Sequence, residues 1–200
     1  MRRLLTFLCL AALTLSACAR PDPQVDPRTV LTRAALDAIE TPLILAILPQ
    51  QGLFSSLNLL TVNGGVGTWT TPDEITVSFR DGVLVSTRGL GQDMMTSDMS
   101  GTLAALNGRA SGYYRRFQGT LDGQSGIDYR TFQCRVASRA PETIVIVERA
   151  QATTRTEEAC ASPGLEVTNV YWRGSDGVMW KSRQWINEDI GYLETERLVR

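Results

Sequence analysis

The sequence predicts a mainly β fold: a single antiparallel β-barrel-like or sandwich domain with one N-terminal helix and one short inserted helix. Three observations carry this. Ile75, Val77 and Phe79 alternate with Thr76 and Ser78; Asp81-Gly82 follows; then Val83, Val85 and Thr87 alternate with Leu84 and Ser86, the pattern of a hairpin about a tight turn. Glycines divide most of the remaining chain into strand-length segments, about ten or eleven in all. No low-complexity linker or solenoid-length repeat interrupts the 200 residues, a length that suits one domain.

The N-terminus reads as an address. Met1-Arg2-Arg3 precedes an apolar run from Leu4 to Thr14, long enough for a signal-peptide core and too short to span the ~30 Å of bilayer hydrocarbon. Leu15-Ser16-Ala17-Cys18 resembles a bacterial lipobox, in which small residues seat the peptidase and the Cys18 thiol takes up a diacylglycerol. An ordinary signal peptide that happens to contain a cysteine is the alternative. On the lipobox reading, residues 1–17 are a lipoprotein signal peptide, 18–25 a lipidated tether with Pro21 and Pro23, and 26–200 the barrel-like domain. Acyl chains such as palmitate then anchor the protein, stably if two or more are present. Ala19, where an aspartate is absent, implies sorting to the outer membrane by resemblance to Gram-negative lipoproteins.

Asp26-Pro27 has the form of an N-cap followed by proline in the first turn, and Val30, Leu31, Ala34, Ala35, Leu36 and Ile39 follow at helical spacing. The expected helix covers 27–40 and ends before Pro42. Leu43–Leu48 is a continuous apolar run, read as a buried strand, and Leu57–Val62 is the next. Asn63-Gly64-Gly65 turns the chain into a strand from Val66 to Thr71 that carries Trp69; the 75–79 and 83–87 hairpin comes next. Residues 93–106 are the second helical stretch, weakened by Gly101. Strands are then expected over 113–121, 127–138, 143–150, 153–160, 165–172, 178–186 and 192–198, with Gly123, Gly126, Gly164, Gly174, Gly177 and Gly191 between them.

Composition excludes several chemistries. The chain has no histidine, which removes Ser-His-Asp and Cys-His catalysis and His-ligated metal or haem. Formal charge is −1, and beyond residues 1–17 there are 18 basic against 21 acidic side chains, so bulk nucleic-acid binding is not expected. No cofactor or metal site is expected. Once Cys9 is removed and Cys18 acylated, Cys134 and Cys160 remain. An oxidising compartment predicts a disulfide between them, contributing roughly 3 kcal/mol for a loop of that length; two buried free thiols are the alternative. Two hairpin connections separate the two cysteines in the predicted strand pattern, so the bridge should tie one strand to the next but two, or to the loop before Leu165.

The acids, among them Asp93, Glu157 and Glu158, are scattered without catalytic spacing and read as solvated turn and edge positions. Asn63–Gly67 and Gly89-Leu90-Gly91 open no helix after a strand, so they read as turns rather than phosphate cradles. Aromatic residues gather late: Tyr171, Trp172, Trp180, Trp185 and Tyr192. They are either core filling or a stacking surface for sugar rings.

Two segments resemble a known family. Val83-Leu84-Val85-Ser86-Thr87-Arg88-Gly89-Leu90-Gly91-Gln92-Asp93-Met94 resembles a hairpin segment of the YjbF/GfcB lipoproteins. Asn169-Val170-Tyr171-Trp172 with Gly177-Val178-Met179-Trp180-Lys181-Ser182-Arg183-Gln184 resembles that family's C-terminal signature, and Trp69 falls where the family has a tryptophan. Asn187 stands where the family tends to have proline. Lys181, the one lysine beside nineteen arginines, lies inside the signature.

The resemblance implies a β-barrel-like domain and an outer-membrane lipoprotein that serves capsule or exopolysaccharide export or assembly without catalysing a reaction. Its expected partners are the membrane, through the N-terminal acyl chains, and envelope proteins of the export system, with polysaccharide as a further candidate. The domain is expected in the periplasm. Trp172, Lys181, Arg183 and Trp185 form the candidate partner or glycan surface. The alternative is a periplasmic polysaccharide-modifying enzyme with two carboxylates ~5–10 Å apart.

Overall fold

The computed structural model describes residues 26–124 and 126–200. The expected signal peptide, Cys18 and the expected tether lie outside the described residues. Five strands come first: β1 (Leu43–Leu48), β2 (Leu53–Asn63), β3 (Val66–Thr70), β4 (Thr76–Arg80) and β5 (Val83–Arg88). Seven follow: β6 (Met94–Asp98), β7 (Tyr114–Leu121), β8 (Ile127–Ile146), β9 (Arg149–Ser162), β10 (Leu165–Gly174), β11 (Met179–Asn187) and β12 (Gly191–Val199). Two short helices are α1 (Arg33–Asp37) and α2 (Ser100–Leu106).

All twelve strands form one antiparallel sheet in the order β5-β4-β3-β2-β1-β12-β11-β10-β9-β8-β7-β6. Every ladder joins strands consecutive in the chain except β1–β12, where Leu45 faces Glu196. The two edges, β5 and β6, are themselves consecutive, so the sheet curls into a nearly closed barrel and removes most of its exposed edge. Barrel, rather than sandwich, is therefore the outcome of the predicted class. Among the described residues no helix is long and apolar enough to cross a membrane.

The largest core cluster includes Ile44, Leu57, Trp69, Phe79, Leu84, Met94, Tyr171, Ile186 and Leu193. A second packs Leu36 of α1 against Leu43, Leu45, Ile146, Trp180 and Leu198. A third surrounds Cys134 and Cys160 with Phe132, Val167 and Trp185.

Turn chemistry explains the well-predicted hairpins. Gly64-Gly65 and Asp81-Gly82 both take two successive positive φ values, the requirement of a type I′ turn that matches strand twist. Four expectations are corrected. The single helix over 27–40 is instead a 3-10 turn at Pro27–Thr29 and a separate α1. Thr32, whose hydroxyl accepts the Ala35 N–H, caps a fresh start and competes with Asp26. The stretch 93–106 is helical only from Ser100; Met94–Asp98 pairs with β7 as a strand. The predicted strands 127–138 and 143–150 are one twenty-residue strand that runs through Pro141. Proline is tolerated because β7 pairs only with residues 127–134, leaving β9 as the one ladder neighbour beyond Cys134. The real turn falls at Val147-Glu148, both at positive φ. That merger removes one strand and Met94–Asp98 adds one, so the described residues hold twelve, against an overall expectation of ten or eleven.

That long hairpin also relocates the disulfide. Cys134 and Cys160 face each other directly on neighbouring strands β8 and β9 and are bonded. One hairpin separates them, not two. Replacing both with serine should lower stability by about 2–4 kcal/mol in denaturant unfolding. Free-thiol titration of the unfolded, unreduced protein should find neither; two reactive thiols there would refute the bridge.

Candidate functional site

The first resembling segment is the barrel's seam. Between β5 and β6, side chains replace ladder bonds. Thr87 Oγ1 accepts the Met94 N–H at 2.9 Å and donates to Asp93 Oδ1 at 2.8 Å. Ser97 Oγ donates to the Val85 carbonyl at 2.8 Å, and the Arg88 guanidinium to the Met94 carbonyl at 3.1 Å. Asp93 also accepts the N–H groups of Gly89 and Leu90, folding the loop around its carboxylate. Asn187 fixes this loop from outside: its amide donates to the Gln92 carbonyl and its carbonyl accepts the Ile190 N–H. Asp93, expected as a solvated turn acid, is thus buried and fully engaged.

The second segment supplies Asn169 and Tyr171 to a polar cluster inside the protein. Glu158 is 1% exposed and Arg116 2%, and they pair at 3.0 Å. Thr102 of α2, Tyr114, Tyr171 and Asn169 all donate to the Glu158 carboxylate. Burial first, and then the charge of Glu158, pushes the hydroxyls of Tyr114 and Tyr171 well above the ordinary tyrosine range, so both remain protonated donors. The Asn169 side-chain carbonyl accepts the Trp185 backbone N–H just beyond Val170–Arg183, where the β10–β11 ladder ends. Glu158 was expected at a solvated position; its place opposite Asn169 in the register turns it inward. One Glu158 oxygen lies within 4.8 Å of both cysteine sulfurs, but the disulfide engages those sulfurs, so the trio offers no thiolate ligands.

The proposed surface residues separate. Arg155, Trp172, Lys181 and Glu196 stand side by side across β9, β10, β11 and β12. The Trp172 ring lies between Arg155 and Lys181, at 5.6 and 5.4 Å, and its indole N–H donates to Glu142 at 3.0 Å. Lys181 Nζ reaches Glu196 at 3.1 Å, and Arg28 grips the same carboxylate through Nε and Nη2. The first described residues are therefore clamped to this row. Arg183 stacks over Tyr192 at 3.3 Å. Trp185 does not join this surface: it is 6% exposed and packs edge-on against Phe132, with centroids 5.5 Å apart. For Trp185 the core reading holds, as it does for buried Tyr171 and Trp180.

A cavity of about 400 Å³ opens where the β2–β3, β4–β5 and β10–β11 turns gather. Trp69, Phe79 and Met179 are among its apolar lining; Thr195, Arg197 and Arg200 contribute polar groups, and Asp81 is the one acid on the lining. Arg197 lies over the Trp69 ring at 4.6 Å. Its Nε is buried without a hydrogen-bond partner, and no described carboxylate lies within ion-pair distance of its guanidinium. Burial, with Arg200 nearby, holds that guanidinium below its ordinary pKa. Arg200 itself pairs with Asp176 at 2.9 Å. Sequence reasoning missed Arg197. Its one signal is an arginine in step with Thr195 on a strand whose alternate residues are core.

The fold has a solved relative. The crystal structure of the hypothetical lipoprotein YmcC from Escherichia coli (K12) superposes with a TM-score of 0.73 at 17% identity, covering 85% of this chain and 89% of that one. At that identity the likeness concerns the fold. A search of curated proteins finds no match. A family model, by contrast, matches residues 11–198, a span that contains the seam segment, the Asn169–Trp172 strand and the Trp180–Gln184 strand. The chain therefore belongs to the YjbF family, described as group 4 capsule polysaccharide lipoprotein gfcB, and so to a lipoprotein family of a cell-envelope capsule system.

Proposed function

We propose that this protein is a non-catalytic accessory lipoprotein of capsule or exopolysaccharide export or assembly. It is anchored in the outer membrane by acyl chains on Cys18, with its barrel in the periplasm. The observation that carries this reading is the extent of the family match: residues 11–198 include the Leu15–Cys18 lipobox as well as the barrel. The buried carboxylates support a non-catalytic role, because Asp93, Glu158 and Glu196 are each committed to hydrogen bonds or ion pairs within the fold.

The geometry supports a short-range anchor. Residues 19–25 can extend to at most roughly 25 Å. The Arg28–Glu196 clamp then holds the Trp172–Lys181 row near the end of that tether. We assign Trp172, Lys181 and Arg183 to contact with envelope partners of the export system. Deleting the gene should remove most secreted and surface polysaccharide, and the wild-type gene should restore it, measured per cell by uronate or hexose assay. Unchanged polysaccharide in the deletion strain would overturn the proposal.

A further inference from the structure

We propose that the cavity at the barrel mouth is a binding site for an acidic saccharide unit, with the Arg197 guanidinium as the cation that receives its carboxylate. That the ligand is a sugar rests on the export reading above; that the site takes an anion rests on the cavity alone.

A desolvated cation without a counter-charge is costly, and proteins ordinarily pair it. This protein does so elsewhere: Arg116 has Glu158, and Arg28 and Lys181 share Glu196. Arg197 is the contrast. It is packed on Trp69, its Nε is buried and unpartnered, and no described acid pairs with it. Arg200 adds a second positive group at the same cavity. Asp81 is the one acid on its lining, at the β4–β5 turn, and Asp176 holds Arg200 from outside that lining. A carboxylate arriving from solvent supplies the missing charge and accepts charge-assisted hydrogen bonds.

The remaining walls suit a sugar ring. Phe79 and Met179 present apolar surface to C–H faces, and Thr195 offers a hydroxyl. The volume lies within the range of small-molecule sites, typically about 300–1,000 Å³. The cavity opens at turns rather than at the Trp172 row, so glycan and partner contacts occupy different surfaces.

The test is isothermal titration of the full chain, in a detergent without a sugar headgroup, with trigalacturonic acid and with maltotriose. Wild type should bind the uronate trisaccharide, more weakly as salt is raised, and bind maltotriose at least about tenfold more weakly. Arg197→Met should weaken uronate binding about tenfold or more, the loss expected for a charge-assisted hydrogen bond, while Arg197→Lys retains part of it and Arg135→Gln, at an exposed position of β8 away from the cavity, all of it. The Met variant should melt no lower than wild type, since it removes an uncompensated cation and keeps the packing on Trp69. If it unfolds instead, the Lys variant and the maltotriose comparison carry the test. Equal binding of the two trisaccharides, no binding by wild type, or unchanged binding by the Arg197 variants would overturn the assignment.

Discussion

Replacing Arg116 with methionine should destabilise the barrel by about 3–5 kcal/mol, because it strands the Glu158 charge in the interior. Both groups are almost fully buried and pair at 3.0 Å. Tyr114, Tyr171, Thr102 and Asn169 still donate to Glu158 in the variant, so the carboxylate keeps hydrogen bonds while losing its counter-charge. For a chain of this size such a loss lowers Tm by roughly 10 °C or more. Arg116→Met combined with Glu158→Gln should recover a substantial part, since removing both charges costs less than leaving one. Denaturant unfolding of the two single variants and the double variant measures the coupling. An Arg116→Met protein within about 1 kcal/mol of wild type would show that the pair does not hold β7, β9 and β10 together as described.

Trp185→Ala and Trp172→Ala should diverge sharply although only thirteen positions separate them, Trp172 inside the C-terminal signature and Trp185 one residue past its end. Trp185 packs edge-on against Phe132 in the core cluster that holds the disulfide, and truncating a buried aromatic ring costs about 3–5 kcal/mol. Trp172 lies on the outer row between two cations, where its loss costs about 1 kcal/mol or less. Trp172→Ala should therefore melt near wild type and yet export less polysaccharide if the row contacts a partner. A large stability loss at Trp172, or none at Trp185, would reverse the assignment of core and surface.

Local signals made much of the fold legible. Asn63-Gly64-Gly65 and Asp81-Gly82 name their own turns, and the alternation beside them names the strands. Val147-Glu148 carries no turn signature; tertiary packing of Ile146 and Val147 against the α1 cluster, with Arg33 donating to the Val147 carbonyl, holds the turn instead. Met94–Asp98 was hidden because its pairing partner, β7, lies across an intervening helix in the sequence. Closure of the sheet by β1 and β12 is equally non-local.

The site was legible to a smaller degree. Lys181 stood out as the one lysine, and its ion pair with Glu196 beside Trp172 gives that rarity a geometric reason: an ammonium ion meets a carboxylate and an aromatic face at once. Glu158 and Arg197 were not legible. A single charged residue in an alternating strand looks the same in sequence whether it meets water, a buried partner or an open cavity. The register decides, and the register is set by strands far away in the chain.

Acyl-anchored function is tested most directly by export in the deletion strain complemented with wild type or Cys18→Ala, with labelled palmitate followed in the same cells. Wild type should be labelled and restore surface polysaccharide, whereas Cys18→Ala should be unlabelled and fail to restore it at equal protein level. Full restoration by the unlabelled variant, or labelling that persists without Cys18, would contradict an acyl-anchored role in polysaccharide export.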